Sequence, residues 1–582
     1  MLQYKDYINN RPDLPYQNFA QLLDSVSKQY PDKDFILYRS GKQREFTRLS
    51  FSKFNEECQR IAKGLLSAGF AKGDRVVIWA ENRPEWMVVW MGAIIAGICI
   101  VPVDFLSADE ECLNIIKITR AKGFFYSGKK KSFNESLSSN GVSLVVSVCI
   151  SPESESTAAN HETEYNSFGK NAASQVLPPL DSIMPDHPCS IVFTSGTTGF
   201  AKGVTLSHKN IIANASGAIR ILDPKSDDIF MDVLPLHHTY PTTCSFIAPL
   251  AAGLSVVIAE KIIGKVVIGD IKDAKVTFLI AVPLLYDKMM AAIDSNYQKL
   301  SSIIRVPLNI LRSIALAKAK KGNSKFGQKV FRFIRKKANL HSLRIMVAGG
   351  GPLSPKTADF FDSFGFNIVH GYGMSENSPL ITVNTPFHKR NESVGLPISY
   401  TELKIIDPGL DGNGEIACKS PSIMLGYFEN DEATKEVITE DGWLLTGDLG
   451  YIDNDGYLHI KGRKKNLIVG SGGKNIYPEE IEAHFSGLRA IAETLVVGRK
   501  SPGGEVVYAV IVPDYETIKA DHPGKENDDN FVFSLIKKEI DETNRTLPVY
   551  KKISDFCIRK EAFEKNAQQK IKRFLYKSYE NP

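Results

Sequence analysis

Apolar residues recur at helical spacing over residues 19–30 and 51–69, and short apolar runs stand at 75–79 and 98–103. Spacings of three and four predict amphipathic helices, while compact runs bounded by turn residues predict buried strands. Their alternation predicts an α/β fold with largely parallel sheets. The uncharged stretch 86–103 reaches the minimum length of a membrane span, but it holds Gly92, Gly97 and Pro102. A helix feeding a strand through a turn at Ala96-Gly97 is the better reading. Further along, 142–146, 190–194, 343–347 and 505–512 read as strands, and a helix starts near Pro478. Residues 451–460 read as a hairpin turning at Asn454-Asp-Gly456. The Ser-, Asn- and Glu-rich stretch 151–175 predicts a surface loop.

One segment breaks the ordinary balance of charge. Residues 299–340 carry twelve Lys or Arg and no Asp or Glu. Within it Phe326, Val330, Phe333 and Ile334 follow helical spacing, with Lys325, Lys329, Arg332, Arg335 and Lys336 on other faces. Such a helix either lies on an anionic membrane or packs its stripe on its own domain. The whole chain, at 582 residues and net charge +5, is too weakly basic to imply nucleic acid as a partner. Eight cysteines without a Cys-x-x-Cys pair exclude a zinc ribbon and fit a reducing compartment. The first ten residues lack the charged and apolar regions of a secretion signal, so the expected location is the cytoplasm. Peripheral contact with the inner face of a membrane, through 299–340, is the accompanying expectation.

The richest chemistry is in Thr194-Ser-Gly-Thr-Thr-Gly-Phe-Ala-Lys-Gly203, which follows an apolar run. Thr194, Ser195, Thr197 and Thr198 offer hydroxyls, Gly196 and Gly199 let backbone N–H groups approach an anion, and Lys202 adds a point charge. That composition suits a polyphosphate. It is not the common P-loop, because Ala201 stands where the second glycine belongs.

Together with four later runs, the loop resembles the adenylate-forming superfamily of acyl-CoA synthetases, luciferases and adenylation domains, over nearly the whole chain. The family loop has proline where this chain has Ala201. The resemblance implies a large multi-sheet adenylation domain over 1–464, bearing the basic insertion. A small α/β lid over 465–582 would move about a hinge at Lys465. In Gly371-Tyr-Gly-Met-Ser-Glu376 it implies adenine stacking by Tyr372, an α-phosphate contact by Ser375 (usually Thr) and a Mg²⁺ ligand in Glu376, with Thr194 as a second. Gly349 and Gly350 of the triple glycine would let backbone pass close to the base. Asp448, in Thr446-Gly-Asp448, would accept from the ribose hydroxyls, with Arg463 as a second contact. Lys570 would bridge the substrate carboxylate and the α-phosphate, although Gln569 replaces the usual glycine and Lys572 competes for the role. Gly473 would line a pantetheine channel.

The implied reaction is attack of a carboxylate on the α-phosphorus of ATP, giving acyl-AMP and pyrophosphate, then transfer to the thiol of coenzyme A. His238, in Leu236-His-His-Thr-Tyr240, falls where the family places a residue near the acyl group; a packed histidine is the alternative. Val282-Pro-Leu-Leu-Tyr286 and the basic segment resemble bacterial-type long-chain fatty acyl-CoA synthetases, which makes a fatty acid the expected substrate. Acyl carrier protein as acceptor, a shorter or aromatic acid, and a non-catalytic nucleotide-binding protein stand as alternatives. Monomer and homodimer are both compatible with the sequence.

Overall fold

The structure, a computed structural model, describes residues 13–39, 45–151, 164–194, 202–259, 261–470, 473–485, 488–502, 504–565 and 571–576. The chain divides into two compact units. The first comprises 1–403, 418–444 and 454–457; the second comprises 404–417, 445–453 and 458–582.

The first unit holds two large sheets. One has nine strands, running in space from Leu396–Pro397 through Leu380–Val383, Ile368–Gly373, Ile345–Ala348, Phe278–Ala281, Ile229–Asp232, Ser255–Ile258 and Asp34–Tyr38 to Thr47–Ser50. The six from Ile368–Gly373 to Asp34–Tyr38 are parallel, and antiparallel strands close both edges. The other has seven strands, ordered Gly426–Tyr427, Lys202–Ser207, Pro188–Thr194, Cys99–Pro102, Arg75–Trp79, Gly123–Tyr126 and Val146–Cys149. Parallel strands are apolar on both faces, so residues such as Val76, Ile78, Ile100, Phe278 and Ile280 lose all contact with water. Each such side chain contributes about 1.5–3 kcal/mol of transfer free energy.

The alternation of helix and strand predicted at the N-terminus is present as the helices Phe19–Gln29 and Phe51–Ser67 and the strand Arg75–Trp79. The apolar stretch resolves into the helix Pro84–Ile95 and the strand Cys99–Pro102, turning at Gly97 with φ +79°. No helix among the described residues is long and apolar enough to cross a membrane. Two expectations are corrected. The strand placed at 142–146 runs instead from Val146 to Cys149, the residues that pair with Gly123–Tyr126, while Val142 and Leu144 pack on the core ahead of it. The predicted loop 151–175 lies in part outside the described residues, but its end is docked. Tyr165 is buried, and the Arg60 guanidinium donates to the carbonyls of Tyr165 and Phe168.

The basic segment forms three helices, Ser302–Ala319, Lys325–Val330 and Arg332–Lys337. The stripe predicted on a single helix is broken at Phe331 and divided. Phe326, Val330 and Ile334 pack on the main core, whereas Phe333 is exposed. Arg335, expected on a polar face, is buried and donates to the carbonyls of Gly365 and Leu343.

The second unit carries all but a few end residues of a four-stranded sheet of Glu402–Ile406, Gly414–Lys419, Leu444–Ile452 and Leu458–Arg463. The last two form the predicted hairpin. A three-stranded sheet of Ile491–Ser501, Gly504–Pro513 and Asp555–Ile558 follows, with helices Pro478–Phe485 and Asp529–Thr546. Ile481, Val496, Ala509, Ile511, Ile536 and Ile540 form its own core.

Candidate functional site

In open parallel sheets, ligands bind beyond the carboxyl ends of the strands. In the nine-stranded sheet those ends lead into the glycine run 349–351, the segment 371–376 and the loop 234–238. The loops are tied down from beneath. The His370 Nε2–H donates to the Gly351 carbonyl at 3.0 Å, and burial lowers the imidazole to about 4, which keeps it neutral. Gly350 has φ +78°. A Cβ on Gly349 would stand 2.7 Å from the Tyr240 ring, so packing alone already demands glycine there.

Glu376 is held through both its side chain and its backbone. Its strand continues past Tyr372 to Gly373, where a side chain would meet the Pro379 carbonyl at 2.1 Å. A short turn, Ser375–Asn377, then presents the acid. The Tyr427 hydroxyl donates to Glu376 Oε1 at 2.8 Å, and the Met424 N–H donates to the Glu376 carbonyl at 2.8 Å. Thr239 Oγ1 donates to Ser375 Oγ at 3.2 Å. Burial, and then the adjacent Glu376, push the Tyr427 phenol far above its ordinary range, so it remains a donor.

Tyr427 also reaches the phosphate-loop strand. Its two-residue strand pairs antiparallel with Lys202–Ser207, Tyr427 opposite Val204. Lys202 Nζ lies 4.8 Å from the centre of the Tyr427 ring and 3.9 Å from Glu436 Oε2. Thr194 is the register partner of Lys202, its Oγ1 3.4 Å from the Lys202 carbonyl. The first unit thus brings Thr194, Lys202, Ser375 and Glu376 into one neighbourhood. Ser195, Gly196, Thr197, Thr198 and Gly199 lie outside the described residues, as does Lys570.

His238 immediately precedes the short helix Thr239–Pro241, its ring centre 3.9 Å from that of His237. The loop before it is clamped by Asn82. That amide donates to Asp232 Oδ2 at 2.8 Å and to the Leu234 carbonyl at 2.6 Å, and accepts from the Leu236 N–H at 2.9 Å. Asp232 is fully buried, and burial raises its carboxyl to about 8. His237 is lowered to about 3 by the same cause.

In the second unit Asp448 and Arg463 are register partners on the hairpin, with Arg463 Nε 2.6 Å from Asp448 Oδ1. Gly447, at φ +68°, donates its N–H to Glu415 Oε1, and Glu415 Oε2 lies 2.6 Å from Lys464 Nζ. Thr446 Oγ1 donates to the Ile416 carbonyl and accepts from the Asp448 N–H. Gly473 has φ +70°. Lys572, the competitor of Lys570, lies 3.7 Å from Glu564.

Sequence reasoning missed Tyr427, Glu436, Asn82 and Asp232. None stands in a run of chemistry-bearing residues. Tyr427 would have been found only by pairing its Gly-Tyr dipeptide with the strand after the phosphate loop.

A family model described as AMP-binding enzyme matches residues 23–428. The chain is similar to the putative acyl-CoA synthetase YngI of Bacillus subtilis (strain 168), 26% identical over 515 residues that cover 84% of this chain and 86% of that one. It is 29% identical over 490 residues to the long-chain-fatty-acid–CoA ligase ACSBG2 of Gallus gallus, covering 80% of this chain and 64% of that one. The solved structure of ATP-bound MatB from Rhodopseudomonas palustris matches with a TM-score of 0.75 at 22% identity, over 96% of this chain and 99% of that chain. Likeness of that degree shows the shared fold.

Proposed function

The chain belongs to the AMP-binding enzyme family, and from that membership we propose that it activates a long-chain fatty acid with ATP and passes the acyl group to coenzyme A. The observation that carries the reading is the bridge from Lys202 through Tyr427 to Glu376. It holds a cation beside a strand that leaves a hydroxyl- and glycine-rich loop, and a carboxylate beyond it, on one rigid phenol. A cation for phosphate next to a hard oxygen ligand is what a nucleotide triphosphate with Mg²⁺ requires. Glu376 fits the ion chemically: Oε1 is anchored by Tyr427, and Oε2 is a carboxylate oxygen of the kind Mg²⁺ takes beside phosphates. When bound, Mg²⁺ offsets negative charge on the phosphoryl oxygens.

In the first half-reaction a carboxylate oxygen bonds to the α-phosphorus and the bond to pyrophosphate breaks. Lys202 and the loop hydroxyls from Thr194 onward hold the departing pyrophosphate, and Lys570 neutralises the carboxylate against the α-phosphate. Tyr372 stacks on adenine, while Asp448 accepts from the ribose hydroxyls. Asp448 already carries one guanidinium at 2.6 Å. In the second half-reaction the thiol sulfur bonds to the acyl carbon, the acyl–phosphate oxygen bond breaks, AMP leaves and the thiol proton passes to solvent. The long acyl chain is supported by the Val282–Tyr286 phrase and by the likeness to a long-chain ligase.

The test is exchange of labelled pyrophosphate into ATP. Exchange should require a long-chain fatty acid, and added coenzyme A should yield acyl-CoA and AMP in equal amounts. Exchange with no carboxylic acid would sink the reading. Exchange with aromatic or short acids alone would replace the substrate, and a product on acyl carrier protein alone would replace the acceptor.

A further inference from the structure

The helix Ser302–Ala319 is apolar on the side that faces out. Ile303, Val306, Ile310 and Ile314 are 88%, 59%, 60% and 40% exposed, and their spacings of three and four place them on one stripe. Ile304 and Pro307 beside them are exposed as well. The opposite face does the packing: Ala315 and Ala319 are buried, and Arg312 lies 4.4 Å from the Phe364 ring with its Nε donating to Ser363. A lone exposed isoleucine is ordinary, but a row of β-branched apolar residues along about three helical turns is not.

The segment that holds the row is strongly basic, and Lys320 at the end of its helix is paired with Asp359. Lys318, Lys321, Lys325, Lys329, Arg332, Lys336 and Lys337 are all exposed, and Phe333 stands 52% exposed among the last of them. From 299 to 340 the chain offers twelve cations and no carboxylate. We propose that this face lies on an anionic phospholipid bilayer, with the Ile303–Ile314 row in the acyl boundary and the lysines and arginines over the headgroups. Apolar area plus cationic charge is the combination that holds a helix in the plane of a membrane surface. A second copy of the chain fits the face poorly, since it would set the same exposed lysines and arginines against one another. The proposal does not rest on the ligase reading, and its test needs no substrate.

The full chain is sedimented with vesicles of phosphatidylcholine alone and of phosphatidylcholine mixed with phosphatidylglycerol. The wild type should partition at least tenfold more strongly to the anionic vesicles, and less so as salt is raised. Replacing Ile303→Ser, Ile310→Ser and Ile314→Ser together should lower that partitioning about tenfold or more while leaving thermal unfolding unchanged, because none of the three is buried. The reversal Lys329→Glu, Arg332→Glu and Lys336→Glu should erase the preference for anionic lipid. Equal partitioning of the wild type to both vesicle types overturns the proposal, as does an isoleucine variant that binds like the wild type. A dimer in sedimentation velocity that the isoleucine variant dissolves would overturn it too, and would assign the face to a second copy.

Discussion

Tyr427 joins two groups that lie far apart in sequence, and it does so with two different parts of its side chain. The ring stacks under Lys202 and the hydroxyl donates to Glu376. Tyr427→Phe keeps the first and removes the second. A hydrogen bond to an ionised partner is worth about 1.5–3 kcal/mol, so the rate of adenylation should fall roughly ten- to a hundredfold. The Mg²⁺ needed for half-maximal rate should rise, with nucleotide affinity little altered. Kinetics over a Mg²⁺ titration decide it, and a wild-type Mg²⁺ dependence would remove Tyr427 from the site. A buried acid supplies the second prediction. Asp232 is raised from 3.8 to about 8, so between those pH values the unfolded chain has released a proton that the folded chain keeps. Stability therefore falls as pH rises through that window. His208 works in the opposite direction. It accepts from the Phe19 N–H and is lowered from 6.5 to about 3, so its contribution is lost as pH falls between those values. Asp232→Asn should remove the fall in stability between about pH 4 and pH 8 and leave the slope above pH 8 unchanged, as read by urea unfolding across the pH range. An unchanged slope across that window would refute it.

At the scale of elements, the hairpin Leu444–Ile452 and Leu458–Arg463 shows what sequence can and cannot reveal. The turn at Gly456 and the strand alternation were legible, and so was the run ending at Asp448. That Asp448 pairs with Arg463 comes from the register of the ladder, which a bulge at Leu449/Gly450 shifts by one residue. No count along the chain anticipates that shift. Asp448→Asn should preserve the strand pairing yet weaken ATP binding roughly ten- to a hundredfold, because the amide is a poorer acceptor for two ribose hydroxyls and loses its charge. Calorimetric titration with ATP measures this, and unaltered affinity would take Asp448 out of nucleotide recognition. The basic segment fared differently. Helical spacing correctly singled out Phe326, Val330 and Ile334 as apolar, but not the burial of Arg335, whose guanidinium caps the Gly365 and Leu343 carbonyls. Burial even draws that guanidinium down to about 10. Nor did spacing flag the outward row from Ile303 to Ile314, since an apolar stripe on a helix is ordinarily the side that faces the core.

Over the whole molecule, the broad α/β class followed from alternation alone, whereas the sheet orders did not. Strand Asp34–Tyr38 pairs with Ser255–Ile258, more than two hundred residues away. Each unit also has a core of its own: Leu22, Trp90 and Phe246 belong to one, and Ile481, Ile511 and Ile536 to the other. Two cores of that kind unfold as two cooperative steps. Scanning calorimetry should resolve two transitions, and a cut at the exposed Lys464 and Lys465 should leave the second core folded; one concerted transition would contradict this. The Tyr427 strut carries a consequence for heredity. Because one phenol serves both Lys202 and Glu376, a harmful change on either side should find its suppressors in the short strand Gly426–Tyr427 rather than near the original lesion.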